Sequence, residues 1–214
     1  MTATREPSVH GSELVRLVGA DIDVPLVTGG TSRYINLDYA ASAPALQAVH
    51  DAVEELLGWY SSVHRGAGFK SRASTAAYEG ARESIRRFVN ARDDDAVIIT
   101  RNTTDSINLL ATALPDDVRV IGFAGEHHAN LLPWQRRGGS VILPVPTSPG
   151  ELLERLEDAL RTAAGTPTLV TVTGASNVTG EVMPLAEIAA LTHRYDARLL
   201  VDAAQLAPHH AIDM

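Results

Sequence analysis

Polar side chains follow several apolar stretches of this chain. The run 199–206 reads LLVDAAQL, so an apolar segment ends in the carboxylate of Asp202 and continues to the amide of Gln205. A continuous apolar run is typical of a buried parallel strand, and open α/β sheets bind ligands beyond the carboxyl ends of such strands. Taken alone, Asp202 is equally compatible with a turn residue or a helix cap.

Three further positions offer groups that could bind the same ligand. Thr103 and Thr104 open a predicted helix, where backbone N–H groups and the helix dipole favour phosphate, although either threonine could instead cap the helix. His127 follows the next predicted strand and could stack on an aromatic ring or remain a solvated loop residue. Asn177 follows another strand and offers a donor and an acceptor to a phenolic oxygen. Its alternative is a turn asparagine.

Together these groups fit pyridoxal phosphate (PLP) better than a nucleotide. Asp202 would keep the ring nitrogen protonated, and Gln205 would reach the phenolic oxygen. A dinucleotide site would need a Gly-x-Gly-x-x-Gly turn after a first strand, which this chain lacks. No metal site is predicted, because the adjacent residues His127 and His128 point in different directions on most backbones and no further ligand has metal spacing.

The elements that must position these residues alternate along the second part of the chain. Predicted strands cover 96–100, 118–124, 140–146, 168–173 and 197–202, and predicted helices cover 12–18, 44–60, 74–90, 104–114, 129–137, 151–164 and 184–195. Residues 28–32 indicate a turn. Alternating strands and helices predict an α/β fold, with a mainly parallel sheet and helices on both faces.

Composition excludes several classes of partner. The 214 residues are 45% hydrophobic and carry a net charge of −8, which argues against nucleic acid or an anionic membrane as partner. There is no cysteine, no membrane-length apolar stretch and no signal-peptide pattern, so a cytoplasmic protein is expected. Lys70 is the one lysine in the sequence. Lysine chemistry must therefore use Lys70, expected in a surface loop, or a residue outside this chain.

Seven segments make the chain resemble the class V aminotransferases, particularly SufS-type cysteine desulfurases. They are LDYAASAP at 37–44, VHRG at 63–66, YEGAR at 78–82, TTDSIN at 103–108, EHHANLLPW at 126–134, SNVTG at 176–180 and VDAAQ at 201–205, in family order. The resemblance implies a fold-type I PLP enzyme like aspartate aminotransferase. Residues 1–33 would be an N-terminal arm and linker, and 34–214 a large PLP-binding domain that is incomplete at its C-terminal side.

The resemblance also implies two sets of site residues. The cofactor-binding set is Thr103 and Thr104 for the phosphate, His127 for ring stacking and acid or base chemistry, Asn177 and Gln205 for the phenolic oxygen, and Asp202 for the ring nitrogen. The substrate-pocket set is Ala40, Ala41, His64 and Arg65. Two positions depart from the family pattern, because Asn102 and Ala203 stand where many relatives have glycine.

The function implied by the resemblance is a cysteine desulfurase, which converts cysteine to alanine and an enzyme persulfide. The family's Schiff-base lysine, nucleophilic cysteine and substrate-binding arginine belong to sequence beyond residue 214, so we expect the 214-residue chain alone to be inactive. A homodimer, a small amino-acid substrate and a sulfur acceptor protein are the expected partners. Another class V reaction (transamination, epimerisation, or C–S or C–C lysis), a lysine-free binding protein and a non-PLP nucleotide-binding domain remain open alternatives.

Overall fold

The computed structural model describes residues 15–214, which fall into two compact units that divide after Glu79. The expected division between an arm and a domain after residue 33 stays a prediction. The predicted helix at 12–18 is wrong for residues 15–18, because Leu17 pairs there in a β-bridge with Leu46; its residues 12–14 lie outside the described part.

The first unit contains a short hairpin and helical segments. Strands β1 (Asp23–Pro25) and β2 (Thr31–Arg33) pair antiparallel, and the predicted turn lies between them, with Gly29 and Gly30 in the left-handed region that glycine favours. Helix α1 spans Gln47–Leu57, and helix α2 (Phe69–Phe88) begins in this unit and ends in the second. Lys70, expected in a loop, instead lies exposed in the first turn of α2.

The second unit confirms the predicted alternation of helices and strands. Its elements are α3 (Thr103–Ala113), β3 (Arg119–Phe123), α4 (His128–Arg137), β4 (Val141–Leu143), α5 (Pro149–Thr162), β5 (Thr168–Thr173), α6 (Leu185–Arg194) and β6 (Arg198–Asp202). The four strands form one parallel sheet in the order β4-β3-β5-β6. The α/β fold class expected from the sequence is therefore the observed one.

Helices cover both faces of this sheet because the strand side chains alternate in direction. On one face, Val170 and Val172 of β5 join a core with Leu156 of α5 and Ile188 of α6. On the other face lies a second cluster, composed of Ile107 of α3, Val120 of β3, Trp134 of α4 and Leu169 of β5. Below, these are called the α5/α6 face and the α3/α4 face.

The predicted strand at 96–100 is wrong. None of the strands within residues 15–214 pairs with this segment, and Ile98 and Ile99 are 71% and 43% exposed. A strand is stabilised by its hydrogen-bonded neighbours and by burial of its side chains, and this apolar segment has neither.

None of the helices within residues 15–214 is both long enough and apolar enough to cross a lipid bilayer.

Candidate functional site

The carboxyl edge of the sheet gathers the ends of several elements. Because the strands are parallel, β3, β5 and β6 all finish at this edge. Helix α4 begins there directly after β3. Arg137 at the end of α4 donates hydrogen bonds to the carbonyl groups of Ala111 and Leu114 at the end of α3, so the two helices run in the same direction and the N-terminus of α3 also faces the carboxyl edge. Thr103, Thr104, His127 and Asp202 therefore lie at the same edge.

Register places Asp202 on the α3/α4 face. Val172 pairs with Val201, and both belong to the core on the α5/α6 face. The next pair in register is Thr173 with Asp202. Because successive side chains point to opposite faces, Thr173 and Asp202 share the face that carries α3 and α4.

Asp202 is a buried carboxylate with few partners. It is 6% exposed, and Oδ1 accepts a hydrogen bond from the N–H of Ala204 at 3.1 Å. No other hydrogen bond to this carboxylate comes from residues 15–214. A buried charge is costly unless it is paired, so Oδ2 is suited to a cationic N–H donor such as a protonated pyridine nitrogen.

At the start of α3, neither threonine hydroxyl has a hydrogen-bond partner within residues 15–214. Asn102 is the N-cap, and its Oδ1 accepts the N–H of Asp105 at 2.8 Å. Asparagine is among the best capping residues, which gives a physical reason for the departure from glycine at this position. The alternative that Thr103 or Thr104 caps the helix is therefore wrong, and both threonines lie in the first turn, beside an ion pair between Arg101 and Asp105.

His127 is the N-cap of α4. Its Nδ1 accepts the N–H of Ala129 at 3.1 Å, so this nitrogen carries no proton and the neutral ring has its proton on Nε2. The imidazole is exposed at the carboxyl edge. The rings of His127 and His128 are 6.3 Å apart and tilted by 41°, so the two do not stack on each other.

Glu126 is the residue at this site that sequence reasoning missed. Its side chain is buried and accepts the N–H of Thr173 at 2.9 Å and the amide of Asn130 at 2.7 Å. Burial raises the pKa of Glu126 to about 7, and the charge of Asp202 contributes a smaller upward effect. The spacing of Glu126, Asn130 and Trp134, each four residues apart, was the available signal, because such residues share one side of a helix.

Comparison with known proteins shows the family. The family model described as Aminotransferase class-V matches residues 35–214. The chain belongs to the class V aminotransferase family.

Individual relatives of this class V chain are cysteine desulfurases by name. It is 36% identical over 192 residues to a probable cysteine desulfurase of Halalkalibacterium halodurans, covering 86% of this chain and 47% of that protein. It is 38% identical to one of Synechocystis, covering 84% and 45%. The apo structure of the Thermococcus onnurineus cysteine desulfurase superposes with a TM-score of 0.72 at 28% identity, covering 82% and 45%. The chain thus spans less than half the length of these relatives.

Asn177 and Gln205 lie in the segments that follow β5 and β6 of the class V sheet. Asn177 is exposed in a loop, and Gln205 is half-buried in a turn. The two segments are packed together, because a Cβ placed on Gly174 would lie 2.9 Å from the side chain of Leu206. Both residues thus lie at the edge that carries Asp202, and their roles in binding stay predictions.

The four residues predicted to border the substrate pocket lie in the first unit. Ala40, Ala41 and Arg65 are exposed loop residues. His64 has a positive φ of 58°, and its Nε2 lies 2.8 Å from Oε1 of Glu79. The cofactor-binding set lies wholly in the second unit, and the substrate-pocket roles also stay predictions.

A cavity of about 320 Å³ lies beside the site, between the segments that follow β4 and β5. Its lining includes Glu126 and Thr173 but not His127, Asn177 or Asp202. Glu126 is therefore shared between the wall of this cavity and the hydrogen bonds to Asn130 and Thr173.

Proposed function

We propose that the protein is a PLP-dependent cysteine desulfurase and that residues 80–214 supply its cofactor cradle. The observation that carries this proposal is the buried carboxylate of Asp202, which accepts one hydrogen bond from within residues 15–214 and lies at the edge that also carries His127 and the N-terminus of α3. Desulfurase chemistry is favoured over other class V reactions because the relatives described above carry that name. In this proposal residues 34–214 belong to the large domain and 1–33 form an arm.

Each residue of the cradle has one task. The hydroxyls of Thr103 and Thr104 and the N–H groups of the first turn of α3 bind the phosphate. Asp202 holds a proton on the ring nitrogen, and the imidazole of His127 packs on the ring. When bound, PLP supplies an electron-withdrawing ring that stabilises negative charge on the substrate carbon.

The remaining residues orient the ring and receive the substrate. Asn177 and Gln205 bind the phenolic oxygen and so fix the rotation of the ring. Ala40, Ala41, His64 and Arg65 border the pocket for cysteine. This 214-residue sequence has no cysteine of its own, so the thiolate that takes the substrate sulfur as a persulfide would come from elsewhere in the whole protein, and the C–S bond that breaks would be replaced by a C–H bond to give alanine. The whole protein acts as a cytoplasmic homodimer and transfers the sulfur to an acceptor protein.

A titration of the chain with PLP and with pyridoxal, which lacks the phosphate, tests the cradle. We expect PLP to bind more tightly than pyridoxal. The double variant Thr103→Val, Thr104→Val should lose this preference, and Asp202→Asn should weaken both ligands and change the absorbance of the ring. A matched control is Thr112→Val at the other end of α3. Equal binding of PLP and pyridoxal by the parent chain would contradict the proposal.

Borohydride reduction tests the role of Lys70. This lysine lies exposed in α2 of the first unit, and the proposal gives it no part in the cradle. We expect the 214-residue chain to bind PLP without forming a reducible adduct. Intact-mass measurement after reduction would detect such an adduct. A stable pyridoxyl group on Lys70 would show that the site is placed wrongly.

A further inference from the structure

A chain of buried hydrogen bonds joins helix α4 to strand β5. The indole Nε1–H of Trp134 donates to Oδ1 of Asn130 at 3.1 Å, and the hydroxyl of Thr171 donates to the same oxygen at 2.6 Å. The Nδ2 of Asn130 donates to Oε2 of Glu126 at 2.7 Å. The N–H of Thr173 donates to Oε1 of Glu126 at 2.9 Å. Trp134 and Thr171 are fully buried, and Asn130 is 1% exposed.

Chemistry fixes the direction of every bond in this network. An indole nitrogen can only donate, so the amide oxygen of Asn130 must face Trp134 and its NH₂ group must face Glu126. The backbone N–H of Thr173 is also a donor only. Both side-chain oxygens of Glu126 must therefore accept, which a carboxylate does and a glutamine amide cannot, because its nitrogen would face a donor.

The network ends next to the two residues that the proposed function uses, and neither of their side chains is a member of it. Glu126 directly precedes His127, so fixing Glu126 against β5 also fixes the first residue of the α4 cap. Thr173, whose N–H it binds, is the register partner of Asp202. One side chain thus connects the loop that carries the stacking imidazole to the strand pair that carries the buried acid.

We propose that Glu126 is a positioning residue, which sets the place of His127 relative to Asp202 by accepting two hydrogen bonds as a carboxylate. This inference rests on the proposed function only for the roles of His127 and Asp202. The hydrogen-bond network itself can be tested without PLP.

The charges around Glu126 predict a link between its ionisation and ligand binding. Within residues 15–214, the ionisable groups facing or next to it are Asp202 of β6, His127 and His128 at the start of α4, and Glu181, which lines the same cavity. Asp202 disfavours a second negative charge nearby. A cationic ring paired with Asp202 offsets that repulsion, so ring binding and ionisation of Glu126 favour each other.

Trp134 provides a direct reporter of the network. The chain has two tryptophans, and Trp59→Phe leaves Trp134 alone, fully buried and two hydrogen bonds from Glu126. Excitation moves electron density out of the pyrrole ring of the indole, so negative charge on Glu126 should shift the emission to longer wavelength. In the Trp59→Phe chain without PLP, we expect this shift to occur with a midpoint near pH 7.

Three variants in that background decide the inference. Glu126→Gln should abolish the transition, whereas the matched control His128→Gln should retain it. Asp202→Asn should move the midpoint to lower pH, because it removes the neighbouring negative charge, and addition of PLP should move it the same way in the parent. A transition that survives in Glu126→Gln, or a midpoint unaffected by Asp202→Asn, would overturn the inference.

A measurement on the unsubstituted residue covers the case in which Glu126→Gln fails to fold, as judged by circular dichroism. The amide proton of Thr173 donates to Glu126, so its NMR resonance should titrate with the same midpoint as Trp134. A Thr173 resonance that does not titrate would overturn the inference. If the titration occurs but PLP does not bind, the proposed function fails while the network stands.

Discussion

The two faces of the second unit's sheet differ in the polarity of the side chains that they bury. The α5/α6 face is an apolar core, in which fully buried Leu156 and Ile188 pack on Val170 and Val172. The α3/α4 face also has apolar contacts, but towards the carboxyl edge it buries Glu126, Asn130, Thr171 and Asp202. Buried polar groups are destabilising unless they are hydrogen-bonded. The α5/α6 face therefore contributes most of the stability, whereas the hydrogen bonds of the α3/α4 face fix the positions of its polar side chains.

The largest expected effect belongs to the apolar face. Leu156→Ala leaves a cavity beneath α5, and we expect it to lower the free energy of unfolding by about 2–5 kcal/mol. PLP affinity of the folded fraction should not change. Urea denaturation measures the loss, and Leu109→Ala, at a 51% exposed position of α3, serves as the matched control. A loss for Leu156→Ala no larger than that of the control would show that this face is not the stabilising one.

The next effect is a pH dependence that originates on the polar face. The pKa of Glu126 is raised from 4.5 to about 7 by burial, so between these values the folded state binds more protons than the unfolded state. Its contribution to stability is complete below pH 4.5 and is lost as pH rises to about 7, by about 3 kcal/mol. From pH 4.5 to pH 7, the unfolding free energy of the parent should fall by about 3 kcal/mol more than that of Glu126→Gln. Parallel curves would contradict the assignment.

The smallest effect comes from exchanging Thr and Val at adjacent positions of β5. Val172→Thr buries a hydroxyl against the apolar core and should cost about 1–3 kcal/mol. Thr171→Val removes the donor to Asn130 and should cost about 1 kcal/mol, with a change in Trp134 emission that Val172→Thr does not produce. Urea denaturation measures both losses of stability, and fluorescence measures the change in Trp134 emission. If both substitutions changed Trp134 emission equally, the distinction between the faces would be lost.

The elements that bury one face were predictable from local pattern. Strand β5 was predicted with its exact observed bounds, and the helices after residue 100 were displaced only slightly, because their apolar periodicity comes from packing on one sheet. The apolar segment at 96–100 looked the same locally but has no partner strand among the described residues. An apolar sequence pattern indicates that a segment can form a strand, but whether a neighbouring strand is present to pair with it depends on the tertiary structure.

The residues of the candidate site that lie at the carboxyl edge could be predicted from the sequence, whereas the residue that fixes their position could not. Thr103, Thr104, His127 and Asp202 follow or open elements in the sequence, so their common edge could be predicted from the parallel topology. Asn102 as the cap of α3 and Glu126 as a buried acceptor could not be chosen from composition, because both roles depend on which donor lies within reach in three dimensions.

The sequence by itself determined the order of elements after residue 100, the parallel α/β class and the family. The first two depend on local apolar periodicity, and the third depends on short sequence segments that can be recognised without an alignment. The tertiary structure alone decided that an acid four residues before an asparagine is buried against a strand 47 residues away along the chain. Hydrogen-bond partners and burial are set by packing between distant segments, and that packing turns an unremarked glutamate into the connection between two parts of the site.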